Sequence, residues 1–153
     1  MSFLDSIHLF NSHIVESKKI LITAHKNPDT DAIGSCLALA HYFSSELKKD
    51  IKIWIKESVK DFSFLPNKQF FENKFPTEYK FDTLIVCDCS SLDRVNNTSF
   101  ITNTDHDFTT INIDHHPDNK KFGDINVVKK ISSVGELLFH LFTELDWKIS
   151  PEI

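Results

Sequence analysis

Three short stretches of this sequence hold side chains that bind divalent cations. His25 is followed four and six residues later by Asp29 and Asp31, Asp88 closes an apolar run, and Asp114, His115 and His116 are consecutive. Imidazole nitrogens and carboxylate oxygens together suit a pair of divalent ions a few ångströms apart, a mixture that Mn²⁺ accepts, provided one carboxylate bridges the two. A site filled by such a pair would attract phosphate, so the chemistry indicated is that of phosphoesters. Asp88 is the candidate bridge, and His115 supplies a further nitrogen ligand. Taken singly, each residue has a plainer role. Asp29 and Asp31 stand where a helix cap belongs, and an aspartate ending a strand is commonly a turn residue. A shared cation accounts for the set without several separate coincidences. His8, His13, His41, His106 and His140 fall outside it and read as structural or solvated.

These groups meet only if the chain brings distant segments together. Phe3, Ile7, Phe10 and Ile14 recur at helical spacing, and Lys19 to Ala24 then reads as a strand ending at His25. Pro28 keeps the following loop out of helical geometry. Ile33, Cys36, Leu37, Ala40, Phe43 and Leu47 form the apolar stripe of a second helix. Further strands are expected at Ile51 to Ile55, Asp82 to Asp88 and Thr110 to Asp114, with a short edge strand at Ile125 to Val128. A last helix is expected from Ser133 to Trp147, opened by a Ser133-x-x-Glu136 capping box. Glu57 to Lys80 reads as an irregular connection with one helical turn at most. Strands alternating with helices give an α/β domain around a mainly parallel sheet with helices on both faces. In such sheets ligands collect beyond the carboxyl ends of the strands, and three apolar runs here end in His25, Asp88 and Asp114.

The 153 residues fit one domain, and 41% hydrophobic with 25% charged content is ordinary for a globular chain. No run is apolar for long enough to span a membrane, and the first residues lack the features of a secretory signal, so a cytoplasmic location is expected. A net charge of −5 argues against a basic face for long duplex DNA, although acids filled with cations would attract phosphate locally. The three cysteines, Cys36, Cys87 and Cys89, read as small core side chains. With only Gly34, Gly123 and Gly135, neither a dinucleotide fingerprint nor a phosphate-binding Walker loop can be written. No serine sits in a nucleophile elbow. The fourteen phenylalanines read as core rather than as a base-stacking platform.

The stretch His25-Lys26-Asn27-Pro28-Asp29-Thr30-Asp31-Ala32-Ile33-Gly34-Ser35, then Asp88, then Asp114-His115-His116, resembles the DHH phosphoesterase family. Asp114 to Asn126 and Ser132-Ser133-Val134-Gly135-Glu136-Leu137 look like the branch that degrades very short oligonucleotides or dephosphorylates 3′-phosphoadenosine 5′-phosphate. The resemblance runs from about Lys19 onward. It implies a Rossmann-like DHH domain in which His25 and Asp29 hold one Mn²⁺ and Asp31 and His115 the other, with Asp88 bridging. It also implies that His116 faces the phosphate and that Asp114 orients a neighbouring histidine. The partners implied are short single-stranded oligonucleotides or bisphosphorylated nucleosides, and oligomeric state stays open, a homodimer included. The family completes its second metal site with an aspartate from a later segment and grips substrate with a second domain. Neither has a counterpart here, so residues 1–153 are expected to be a DHH domain incomplete at its C-terminal end. Two alternatives stand beside this reading. One is a manganese-dependent inorganic pyrophosphatase, which His25 to Asp31 fits equally well but Asn119 to Asn126 disfavours. The other is a domain that binds metal or nucleotide without turnover.

Overall fold

Runs such as Lys19-Ile-Leu-Ile-Thr-Ala24 and Thr83-Leu-Ile-Val-Cys87 lack polar alternation, which is what strands covered on both faces require. In the computed structural model, which describes residues 2–56, 64–102, 107–151 and 153, both runs are strands, and every residue except Lys19 is buried. The strands are Lys19–Ala24 (β1), Asp50–Trp54 (β2), Phe71–Glu72 (β3), Thr83–Cys87 (β4), Thr109–Asp114 (β5) and Ile125–Val128 (β6). The α-helices are Phe3–Glu16 (α1), Thr30–Ser45 (α2), Ser99–Thr102 (α3) and Val134–Glu144 (α4). All strand pairings are parallel, in the order β3-β2-β1-β4-β5-β6, the Rossmann arrangement.

The two faces are covered unequally. Alternate strand residues Ile20, Ile22, Ile53, Ile85, Ile111 and Ile113 pack into one cluster with α1, α2 and α4. There Trp147 stacks on Tyr42 at 4.5 Å between ring centroids and also meets Phe10 and Phe142. The opposite face, carrying Leu21, Trp54, Leu84 and Val86, is covered by irregular chain and by the single-turn α3 through Ile101. Phe75, Phe81, Phe100 and Phe108 close that second core, with neighbouring rings at 4.7 Å. Most of the described phenylalanines are core, as expected, whereas Phe64 and Phe139 are exposed.

Local chemistry sets several boundaries. Ser2 and Asp5 form a complete capping box at α1. At α4 only half of the expected box forms. Ser133 Oγ accepts the Glu136 N–H, but the Glu136 carboxylate turns to the backbone N–H and hydroxyl of Ser132 instead. The expected irregular connection from Glu57 to Lys80 contains β3 and the 3₁₀ turn Lys68–Phe70, while its residues 57–63 lie outside the described part, as does His106. The three cysteines are free and buried. No helix among the described residues is long and apolar enough to cross a membrane. Strand order decides where function can sit. The chain leaves β1 for β2 on one side and later returns to β4 on the other, so a crevice opens beyond the carboxyl ends of β1 and β4.

Candidate metal centre

Each side chain at that crevice is placed by a break in regular structure. After β1, His25 makes an isolated antiparallel bridge to Val95, and the Lys26 N–H donates to the Arg94 carbonyl at 2.7 Å. Asn27 turns the chain with φ 52°, and Asp29 caps α2 by accepting the Ala32 N–H at 3.0 Å. After β4, Asp88 adopts φ 53°, held by its N–H to the Ile113 carbonyl at 2.9 Å. A left-handed aspartate at a strand end carries backbone strain, and such strain concentrates where a side chain must be aimed. After β5, the chain leaves through His115 and His116, whose rings lie 4.5 Å apart.

Asp88 is the hub. It is 2% exposed, and its Oδ1 has no hydrogen-bond partner among the described residues. Three imidazoles surround it: His25 Nε2 at 3.6 Å from Oδ2, His115 Nε2 at 3.4 Å from Oδ1, and His116 Nδ1 at 3.6 Å from Oδ1. These separations are too long for good hydrogen bonds. They suit atoms that share an ion, because ligands bound at about 2.1 Å stand roughly 3 Å or more from one another. Ligand atoms of His25, Asp29 and Asp88 lie within 4.8 Å of one another, and so do those of Asp88, His115 and His116. Two cation-sized groups therefore share Asp88.

The imidazoles are oriented by what their other nitrogen meets. His25 Nδ1 donates to the Lys26 carbonyl at 2.7 Å, and His115 Nδ1 donates to the Ile131 carbonyl at 3.1 Å. A carbonyl only accepts, so both rings carry a proton on Nδ1 and direct Nε2 toward Asp88, and once the ring is neutral that nitrogen is free for a metal. His116 differs. Its Nδ1 donates to Asp114 Oδ1 at 2.8 Å, which removes that nitrogen from any ion near Asp88 and leaves Nε2 as the free one. Electrostatics agree with a charged hub. Burial works against ionisation of Asp88, but the His25 contact and the neighbouring His115 and His116 outweigh it and hold the carboxyl below the ordinary range. The same contact with Asp88, against the effect of burial, raises the pKa of His25.

The structure brings His25, Asp29, Asp88, His115 and His116 together, with Asp114 behind His116. Asp31 is in neither group. Its Oδ2 accepts the Val134 N–H at 2.7 Å and its Oδ1 the Gly135 N–H at 2.9 Å, so its carboxylate tethers the N-terminus of α4 to that of α2. Sequence reading gave Asn112 no role and used Asn119 only as part of a family stretch; the two bond to each other, and Asn119 also donates to Asp114. The available signal was Asn112, an amide between Ile111 and Ile113 in a strand buried on both faces.

Residues 19–153 match the model of the DHH family, N-terminal domain. The chain belongs to the DHH family. Among its DHH relatives, it is 27% identical over 135 residues to the "Probable bifunctional oligoribonuclease and PAP phosphatase NrnA" of Streptococcus mutans, covering 87% of this chain and 41% of that protein. It is 26% identical over 137 residues to the "Bifunctional oligoribonuclease and PAP phosphatase NrnA" of Bacillus subtilis, covering 87% and 42%. In solved structures, its DHH fold is similar to that of an exopolyphosphatase-related protein from Bacteroides fragilis, with a TM-score of 0.80, 26% identity, and coverage of 94% of this chain and 44% of that one. The chain thus spans less than half the length of these relatives.

Proposed function

We propose that this DHH domain carries a two-Mn²⁺ phosphoesterase centre that hydrolyses short oligonucleotides, 3′-phosphoadenosine 5′-phosphate, or both. The observation that supports it most is the sharing of buried Asp88, with its orphaned Oδ1, between two cation-sized groups of ligands. In this reading His25 and Asp29 serve one ion, His115 serves the other, and Asp88 serves both. Bound divalent ions would supply positive charge for the phosphoryl oxygens and lower the pKa of a water placed for in-line attack. The protein's own part is to hold the ligands. Carbonyls of Lys26 and Ile131 fix His25 and His115 with Nε2 toward Asp88, and Asp114 holds His116 through Nδ1 so that Nε2, when it carries a proton, can donate to a phosphate oxygen. The names of the relatives support this substrate class.

The second group is the poorer one. His116 Nδ1 is committed to Asp114 and Asp31 is committed to α4, which leaves Asp88 and His115 as its clear donors. We therefore read residues 1–153 as a DHH domain whose second cation is completed by Asp31 turning inward or by a carboxylate beyond these residues. A separate substrate-gripping domain would then raise turnover. The test is calorimetry of the metal-free chain with Mn²⁺ and with Mg²⁺, followed by assays with saturating Mn²⁺ on a dinucleotide, on 3′-phosphoadenosine 5′-phosphate and on pyrophosphate. Binding of Mn²⁺ in preference to Mg²⁺ is expected, with turnover of either nucleotide by these residues alone slow at most. Absence of Mn²⁺ binding by the folded chain would refute the centre, and preferential turnover of pyrophosphate would replace the substrate.

A further inference from the structure

Two of the three imidazoles around Asp88 are aimed by backbone carbonyls, which cannot rotate away. His116 alone is aimed by a side chain, Asp114, and a carboxylate on a single bond needs support of its own. That support comes from the loop after β5. Asn119 Nδ2 donates to Asp114 Oδ2 at 2.6 Å and to Asn112 Oδ1 at 2.7 Å, with the Cys89 carbonyl 3.2 Å away. Its Oδ1 accepts the Lys121 N–H at 2.6 Å. Asn112, fully buried in β5, is fixed in turn by donating to the Cys89 carbonyl at 3.0 Å. The Asn119 amide has only one workable orientation. Turned over, its oxygen would face the oxygens of Asp114 and Asn112, and its NH₂ would face the Lys121 N–H.

We propose that Asn119 is a positioning residue, fixing the Asp114 carboxylate and through it the tautomer and aim of the His116 ring. Both Asp114 oxygens are engaged, Oδ2 by Asn119 and Oδ1 by His116. With Asp114 accepting at both oxygens, His116 keeps a proton on Nδ1, and Nε2 is the nitrogen left facing the crevice. Asp114 is fully buried, and its Oδ2 takes its hydrogen bond from Asn119. Without it the carboxylate turns to find another donor, and the hold on His116 is lost. The consequence for turnover rests on the phosphoesterase reading, but the consequence for His116 does not.

The experiment reads both. Imidazole ¹⁵N spectra of the metal-free chain are recorded over a rising pH series, and the tautomers are read on the plateau where the signals no longer change. The wild type is expected to show His116 as the Nδ1–H tautomer. Asn119→Ala is expected to move it to a mixture with Nε2–H while His25 and His115 stay as they were. Asn119→Ser, which keeps the loop polar but cannot reach Asp114, serves the same purpose should the alanine variant not fold. In turnover with Mn²⁺, kcat should fall roughly ten- to a hundredfold, the usual cost of losing an orienting partner, with KM and Mn²⁺ affinity unchanged. Asn119→Ala added to Asp114→Ala should cost nothing further, because both act through the same ring. An unaltered His116 tautomer in a folded Asn119 variant, or losses that multiply in the double variant, overturns the proposal. A folded wild type that binds no Mn²⁺ overturns the phosphoesterase reading and leaves the tautomer experiment to decide this one.

Discussion

Asp88 sits in the left-handed region at φ 53°, a conformation that Asp and Asn tolerate better than other side chains and that costs an alanine about 1–2 kcal/mol. Asn is therefore the cleaner probe of its role, since Asp88→Asn keeps shape and backbone while removing the charge. We expect Asp88→Asn to weaken Mn²⁺ binding by more than the roughly ten- to hundredfold that outer partners cost, and to do so for every ion in the centre. Calorimetry showing wild-type affinity would remove Asp88 from the bridge. His13 allows a prediction away from the metal groups. Its Nε2 lies 2.9 Å from Thr83 Oγ1, and burial lowers its pKa from 6.5, only partly offset by Asp82 and Asp124. The unfolded chain then takes up a proton that the folded chain resists. Stability from this residue is complete above the unfolded value and is lost as pH falls through it toward the lower folded value. In metal-free protein, urea midpoints measured on either side of the ordinary histidine value should drop more for wild type than for His13→Leu. Equal drops would show that His13 is not held neutral. His25, with a raised pKa, contributes with the opposite sign and is common to both proteins.

At the scale of elements, Asp31 joins two helices that the chain keeps far apart in sequence. Asp31→Ala leaves two first-turn amides of α4 without their partner and should destabilise the metal-free chain by about 1–3 kcal/mol. If Asp31 acted only as a metal ligand, metal-free stability would not change, so a urea titration separates the two roles. Gly123 marks another close approach, between β5 and β6. A Cβ there would stand 2.8 Å from the Ile125 carbonyl oxygen and 2.9 Å from the Asn112 nitrogen, both backbone. Gly123→Ala should therefore cost about 1–3 kcal/mol in the same assay, as overpacking does. An alanine variant as stable as wild type would mean that the loop shifts freely. These contacts also show what local pattern conveys and what it does not. β1 and β6 were legible to the residue because a short apolar run is a local property, and the N-terminus of α4 was legible from Ser133. The two-residue β3 is too short to show any period. Asp29 could be seen as a cap and Asp88 as a strand end, but Asp31 pairs with amides 103 and 104 positions away, which no local window contains. The helix-rich and helix-poor faces were likewise not separable, since a strand buried on both sides looks the same whatever covers it.

The whole molecule puts its chemistry where β1 meets β4, and those two strands become neighbours only after α2, β2 and β3 have been made between them. His25 hangs from the first, Asp88 from the second, and His115 from the strand beyond. That arrangement gives the chain a clock. Closing long loops to pair parallel strands is slow, whereas the amphipathic helices can form early from neighbouring residues. In refolding from urea, far-ultraviolet ellipticity should recover ahead of the capacity to take up Mn²⁺, and the lag should lengthen in Gly123→Ala if β5–β6 docking belongs to the same slow step. Simultaneous recovery would mean that the sheet assembles as early as the helices do. In a cell the same lag would keep a newly made chain from capturing metal until its central strands had met, so that possession of the ion marks a molecule that has finished folding.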